Sequence, residues 1–299
     1  STAADLTTGM YNIAIGLNAF ANAVGSDGNI AIGTDAISGA NTTGNNNIGL
    51  GASSLVNLTD GVSNIAVGSG SMGIGIVTGN DNIALGNFAL EDVTTGGNNI
   101  AVGSGSLASA TDNTGNVAIG FEALKTSAND GDRNIAIGYQ TIKTGDVSGA
   151  DNIAIGTSAA KNATSLAENT VIGHKAVETG VMTGDHNTIV GPRAALNFTS
   201  GTDNIIVGGS AGTAVRTNTK NILIGSGSDA TDGLANAYAI GTDALVTQAN
   251  SMVLGGQTGE RFSIGMGGIT APNSTLEVSG SVRITGSLII SSSNTTTIK

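Results

Sequence analysis

The stretch Asn29-Ile-Ala-Ile-Gly33 decides the fold, because close variants of it recur along most of the 299-residue chain. Successive copies of its closing glycine are 17 or 18 residues apart as far as Gly225, and the last two spacings are 16 and 14. A repeat of this length is typical of a solenoid in which every copy forms one coil. The fifteen closing glycines are Gly16, Gly33, Gly51, Gly68, Gly86, Gly103, Gly120, Gly138, Gly156, Gly173, Gly191, Gly208, Gly225, Gly241 and Gly255.

The residue pattern around each closing glycine, taken as position 0, predicts a strand. Position −1 is Ile, Leu or Val in all fifteen copies, and position −3 is Ile or Val in eleven. This segment is short and rich in β-branched residues, which favours a strand over a helix. Turn residues such as Ser-Asp-Gly at 26–28 follow at a fixed offset. We therefore predict an all-β parallel β-solenoid, or β-roll, of about 15 coils with a 17–18-residue period.

Two further columns of the repeat carry structural predictions. Position −4 is Asn in thirteen copies, from Asn12 to Asn221, and predicts an amide ladder that satisfies its own polar groups from coil to coil. Positions −3 and −1 point to one face of the strand and position −2 to the other, yet position −2 is also apolar. A narrow coil covers only one such face, so we expect another chain to cover the other face in a homotrimer.

Composition excludes several classes of function. The net charge of −11 argues against a nucleic-acid partner, whose phosphates would be repelled. The chain has no cysteine, so it has neither disulfides nor thiol chemistry. No apolar run approaches the ~20 residues that a membrane span needs. Charged residues make up only 11% of the chain and aromatic residues 3%, which is unlike a conventional enzyme.

Candidate chemical groups are few, and we predict neither a catalytic site nor a cofactor or metal site. His174 and His186 each occur once in the repeat series, which is typical of surface or turn residues. The Gly-Ser-Gly-Ser runs at 68–71, 103–106 and 225–228 are in register with the repeat, which favours tight packing over phosphate binding. The aspartates of Asp130-Gly-Asp132 leave cation binding open as an alternative.

The binding residues stay unknown at this level. The acidic residues are scattered over turns and do not cluster as a glycosidase requires. There is no Trp, and Tyr occurs only at 11, 139 and 238, so we do not expect a sugar-stacking site on a single chain. Any ligand site is expected to be diffuse, repeated or formed at grooves between chains.

The repeat resembles a known family. Asn29-Ile-Ala-Ile-Gly-Thr-Asp-Ala36 and Asn152-Ile-Ala-Ile-Gly-Thr-Ser-Ala159 are similar to the head-domain repeats of trimeric autotransporter adhesins. The resemblance covers about residues 12 to 258. It implies a trimer of left-handed parallel β-rolls that attaches to surfaces and matrix proteins.

The C-terminal segment has a different character, because the period stops near Arg261. Residues 264–286 resemble a segment common near the C-terminal end of bacteriophage tail-fibre proteins. Alternating apolar pairs predict short strands there, at Leu276/Val278, Val282/Ile284 and Leu288/Ile290. The predicted organisation is a lead-in at 1–11, a β-roll repeat domain at 12–260 and a C-terminal β-strand module at 261–299.

These observations predict an extracellular attachment fibre on a virion or cell surface. A stiff trimeric rod would present repeated loops to a host or matrix receptor, so that weak contacts sum to avidity. The alternative is a structural extracellular filament whose subunits join end to end without a specific receptor. A polysaccharide-degrading tailspike is disfavoured, because the carboxylate cluster it needs is missing from the sequence pattern.

Overall fold

A computed structural model of the chain describes residues 8–39, 41–126, 131–144, 149–165, 167–256, 264–266 and 276–278. The chain divides into two compact units, Ser1–Gln257 and Thr258–Lys299. The first unit carries the repeat. Its described residues form strands and turns and contain no helix.

The first unit is a parallel β-solenoid, as the repeat predicts. One strand from each repeat joins a single 15-stranded sheet in which every strand pairs in parallel with the strand one period away. We number the coils 1 to 15 by their closing glycines. The strands of this sheet are β1 Ile13–Ile15, β2 Ile30–Ile32, β3 Ile48–Leu50, β4 Ile65–Val67, β5 Ile83–Leu85, β6 Ile100–Val102, β7 Val117–Ile119, β8 Ile135–Ile137, β9 Ile153–Ile155, β10 Thr170–Ile172, β11 Thr188–Val190, β12 Ile205–Val207, β13 Ile222–Ile224, β15 Ala237–Ile240 and β17 Ser251–Leu254, while β14 Asp229–Ala230 and β16 Leu245–Val246 form a two-stranded parallel sheet beside it.

The closing glycine is required by close backbone contact between coils. In coil 6 the φ angle of Gly103 is +132°, a conformation that residues with a side chain rarely adopt. A Cβ atom on Gly103 would also lie 2.5 Å from the carbonyl oxygen of Gly120 in the next coil. The same two constraints apply at Gly16, Gly33 and most other closing glycines, which explains why this column never varies.

The interior of each coil is built from three columns of the repeat. Position −2, which is Ala101 in coil 6, is buried, and so are position +3 and the larger residue at position +4. In coil 6 these are Ser106 and Leu107. The Ala column therefore faces the inside of its own coil. Positions −3 and −1 point outward, where their side chains are half-buried or exposed.

The asparagine column forms the predicted ladder. The backbone N–H of Asn82 donates to Oδ1 of Asn64 at 3.0 Å, and its Nδ2 donates to that oxygen at 3.1 Å and to the Gly96 carbonyl at 2.8 Å. Backbone bonds of the first kind run from coil to coil through Asn221, whose Oδ1 accepts the N–H of Ala237 at 2.9 Å. These amides are buried from Asn29 onward, so the ladder satisfies polar groups that would otherwise be costly to bury.

The second unit contains two described strands. β18 Ile264–Met266 pairs in parallel with β19 Leu276–Val278. The predicted strand at Leu276/Val278 is therefore present. The other two predicted strands, at Val282/Ile284 and Leu288/Ile290, lie outside the described residues.

Candidate functional site

The first candidate surface is the outer face of the 15-stranded sheet, which we call the outer sheet face and define as positions −3 and −1 of every coil. Its side chains are mostly Ile, Leu and Val, and many are substantially exposed, for example Ile15 at 58% and Ile32 at 38%. Fifteen strands ~4.8 Å apart and about 10 Å wide present roughly 700 Å². An apolar patch of that size on a single chain is typical of an interaction surface.

The second candidate surface is a cleft on the turns that follow the strands of coils 5 to 7. Coil 6 has small residues at positions +1, +2 and +5, so one layer of side chains is missing between coils 5 and 7. The resulting cavity has a volume of about 310 Å³. We call it the Gly105 cleft and define it by its lining residues, Phe88, Glu91, Ser104, Gly105, Ala108, Phe121, Glu122 and Lys125.

Aromatic side chains are concentrated at this cleft, although the chain has only eight in all. Phe88, Phe121 and Tyr139 are 49%, 43% and 51% exposed. The rings of Phe121 and Tyr139 stack with their centroids 5.3 Å apart and an interplanar angle of 18°. Tyr139 belongs to coil 8, so it supports the ring of Phe121 on the side away from coil 6. The other side of that ring borders the cleft.

A charge network fixes the wall of the cleft contributed by coil 7. The Nζ of Lys125 donates to Oε1 of Glu122 at 2.7 Å, and the Nζ of Lys143 lies 2.6 Å from Oε2. The side-chain amide of Gln140 donates to the same Oε2 at 3.0 Å. Hydrogen bonds from Lys125 and then from Lys143 lower the pKa of Glu122 to about 2. The Glu122 carboxylate is thus fully paired and stays ionised.

Glu91 lies on the opposite wall and behaves differently. Burial raises the pKa of Glu91, and the negative charge of Asp92 adds to the rise, while Lys125 opposes it. Within the described residues its carboxylate accepts no hydrogen bond from another side chain or backbone group. Glu91 is therefore a partly desolvated acceptor that borders the cleft and has both oxygens available.

The two histidines are surface residues. His174 is exposed at position +1 of coil 10. His186 lies at position −5 of coil 11, 3.6 Å from a carboxylate oxygen of Glu168 and 3.7 Å from one of Asp203. These contacts belong to a column of mixed charge along the rod, in which Arg133 also forms a bidentate pair with Asp151 at 2.7 and 2.9 Å. The Arg133–Asp151 pair thus joins two successive coils.

Several turn aspartates have structural partners. Oδ1 of Asp132 accepts the backbone N–H of Thr114 at 2.7 Å, one coil earlier. Asp27 does the same for Met10, at 2.6 Å. Asp130, the other member of the candidate cation pair, lies outside the described residues. No group of three or more His, Asp or Glu side chains suited to a metal ion occurs in the part of the chain that the structure describes.

The Gly-Ser-Gly-Ser runs serve packing. Their second serines are buried, and the hydroxyl groups of Ser71, Ser106 and Ser228 donate to the carbonyl of the closing glycine three residues earlier, at 2.8 to 2.9 Å. These hydroxyl groups are therefore committed to the interior of the coil.

Sequence reasoning missed the Gly105 cleft because it counted tyrosines and tryptophans over the whole chain. The signal that could have found it is positional. Phe88, Phe121 and Tyr139 occupy positions +1 and +2, immediately after closing glycines of nearby coils. Since equivalent positions stack along a solenoid, these residues had to lie on the same edge of the rod.

Neither a protein-family model nor a curated protein matches this chain. Among the described residues, no helix has the length and apolar character needed to cross a membrane.

Proposed function

We propose that the chain forms the repeat rod of an extracellular attachment fibre, on a virion or a cell surface. In this proposal three copies associate through their outer sheet faces and present their turns to a host or matrix surface. The observation that carries the proposal is the outer sheet face, an apolar ladder of fifteen strands on a chain with few other distinctive groups.

The size of the outer sheet face supports association with further copies. About 700 Å² per chain is close to the ~800 Å² per partner that stable protein interfaces bury. The face is regular along its length, and the backbone groups within the sheet are already paired from coil to coil. A second copy of the same repeat has matching spacing in its own outer face. Threefold symmetry would let each chain bury its face around one axis.

The rod supports attachment through multiplicity. The turns repeat along the rod every ~4.8 Å, once per coil, and a trimer presents three copies of each turn. Contacts that are weak singly then add to an effective affinity well above that of one contact. The resemblance of the repeats to adhesin heads is consistent with this arrangement, and so is the resemblance of residues 264–286 to tail-fibre segments.

The experiment compares rods of different length. Deleting residues 157–191 removes two whole coils and joins Gly156 to Pro192 in register. Cell or matrix binding by this variant is measured beside the full chain, after both have been shown to have the same oligomeric state. We expect clearly weaker attachment by the shortened rod. Unchanged attachment would contradict multivalent presentation by the turns.

A further inference from the structure

We propose that the Gly105 cleft binds one neutral pyranose ring of a glycan. The proposal deepens the attachment function and rests on it for the source of the glycan, although binding itself is measurable without any cell. Three independent features of the cleft carry it: its shape, its aromatic walls and its unpaired carboxylate.

The shape of the cleft suits one six-membered ring. Coil 6 contributes only the small residues Ser104, Gly105 and Ala108 to the floor of the cleft, and the larger side chains of coils 5 and 7 surround the space above them. The volume of about 310 Å³ lies at the lower end for small-molecule sites, as expected for a single sugar unit.

The chemistry of the walls suits a sugar. The C–H face of a pyranose is apolar and packs against aromatic rings, which Phe88 and the supported ring of Phe121 provide. Sugar hydroxyls are donors and acceptors at once. Glu91 offers two free acceptor oxygens, and the ammonium group of Lys125 retains donors beyond the one it gives to Glu122.

The charges around the cleft favour a neutral ligand. Lys125 and Lys143 are already neutralised in part by Glu122, while Glu91 and Asp92 add negative charge nearby. The whole chain carries −11. A uronate or sialyl carboxylate would therefore be repelled, whereas hydroxyl groups gain hydrogen bonds to charged partners.

The test is ligand-observed NMR titration of the full chain with methyl glycosides of glucose, galactose and mannose and with N-acetylglucosamine. Glucuronic acid, N-acetylneuraminic acid and a short peptide rich in Phe and Tyr are titrated in parallel. A single sugar ring is expected to bind with a Kd of about 1 mM. Saturable binding of at least one neutral sugar, with no binding of the acids, supports the proposal. Binding of none below roughly 20 mM overturns it, as does binding of the peptide alone.

Three variants locate the binding. Gly105→Asn fills the missing layer and should abolish binding, because Asn tolerates the left-handed φ of +64° and the new Cβ has room. Phe121→Ala should weaken binding about threefold to tenfold, and Glu91→Gln about fivefold.

The matched controls occupy the same columns elsewhere. Ser210→Asn places the same residue at position +2 of coil 12, and Leu17→Ala removes an exposed apolar side chain from position +1 of coil 1. Both should bind sugar like the unmodified protein. If a control loses binding as Gly105→Asn does, or if Gly105→Asn retains full binding, the cleft is not the site. If Phe121→Ala changes the oligomeric mass without affecting any sugar, the cleft is a contact between chains and the proposal fails.

The outcome is separable from that of the attachment proposal. A protein that binds the sugars through the cleft but fails to attach to cells keeps this inference and contradicts the proposed function. If attachment falls when the rod is shortened but the protein binds no sugar, the attachment proposal stands and the sugar-binding inference is contradicted.

Discussion

Coils 1 to 8 and coils 10 to 13 fill the same interior in opposite ways. In the first group position −2 is Ala or Gly and position +4 is large, as with Ala118 and Leu124 in coil 7. In the second group position −2 grows while position +4 shrinks, and coil 11 has Ile189 with Ala195. In these two groups a large side chain at one position is therefore matched by a smaller one at the other, whereas coil 9, between the groups, has Ala154 and Ala160 at the two positions.

Two glycines show that the columns share one space. A Cβ atom on Gly49, at position −2 of coil 3, would lie 2.8 Å from Ile37 at position +4 of the preceding coil. A Cβ atom on Gly212, at position +4 of coil 12, would lie 3.1 Å from Ile206 at position −2. Each position is small where its neighbour is large. The two groups therefore fill one shared interior from different columns of the repeat.

The largest effect is expected from a charge in this shared interior. Ala101→Asp places a carboxylate where the native side chain is fully buried in the hydrophobic core. The cost should be several kcal/mol, seen as a large fall in the melting temperature or loss of folding. Leu223→Asp should be equally damaging in the other group. The control Ser69→Asp carries the same charge at an exposed position, and an equal loss there would contradict the assignment of position −2 to the core.

The asparagine ladder runs through both groups without change, so its loss should cost the same in each. Asn99→Ala leaves the backbone N–H of Asn116 without its side-chain acceptor, and Asn204→Ala does so for Asn221. We expect a loss of about 2–3 kcal/mol in the free energy of unfolding for either variant, measured by denaturant titration. Asn12→Ala, in the first and less buried coil, should cost less. A marked inequality between Asn99 and Asn204 would mean that the two groups differ in more than core packing.

The interchange of large and small residues is testable directly. Ala118→Ile copies coil 11 into coil 7 but leaves Leu124 in place, so overpacking should cost about 1–3 kcal/mol. Adding Leu124→Ala should recover most of that loss. Calorimetric melting of Ala118→Ile, of Leu124→Ala and of the double variant gives the interaction energy between the two positions. Additive losses in the double variant would show that positions −2 and +4 do not share space.

The smallest expected effect is a pH dependence of stability that comes from Glu122 in the first group. The network around Glu122 occurs only in the first group, and its folded pKa of about 2 lies well below the ordinary value of 4.5. Its contribution to stability is complete above about pH 4.5 and is lost as the pH falls towards 2. The melting temperature of the unmodified protein should exceed that of Glu122→Gln near pH 6, and the gap should shrink steadily below pH 4.5 and close only below about pH 2. A gap independent of pH would contradict this role.

The sequence predicted the architecture well because every element of it repeats. Fifteen copies average out local ambiguity, so the strand and the Asn12–Asn221 ladder could each be derived from one column of the repeat. The sequence also showed that both faces of the strand are apolar, but not which face is the inside of the coil. The interchange at positions −2 and +4 was less predictable, since it depends on which columns meet across the coil. The Gly105 cleft was missed because it depends on the particular small residues of coil 6 and the large residues of coils 5 and 7. The common pattern of the fifteen copies does not show such differences between individual coils.

The homotrimer itself was predicted from the doubly apolar strand, and it remains a prediction. The structure assigns one of those faces, the Ala column, to the interior of the coil and leaves the outer sheet face uncovered within the single chain. Since the Ala column packs inside the coil and the outer sheet face is proposed to contact other chains, each face can be tested by its own substitutions. Ile135→Asp should disrupt association while the coil stays folded, unlike the core variants.

The most direct test of the account is the mass of the soluble protein measured by light scattering. We predict about three times the chain mass of 29.1 kDa, independent of concentration in the micromolar range, and a smaller species for Ile135→Asp with unchanged β-sheet circular dichroism. A monomer would contradict the burial of the outer sheet face. A mass that grows continuously with concentration would contradict the closed trimer and favour a filament joined end to end.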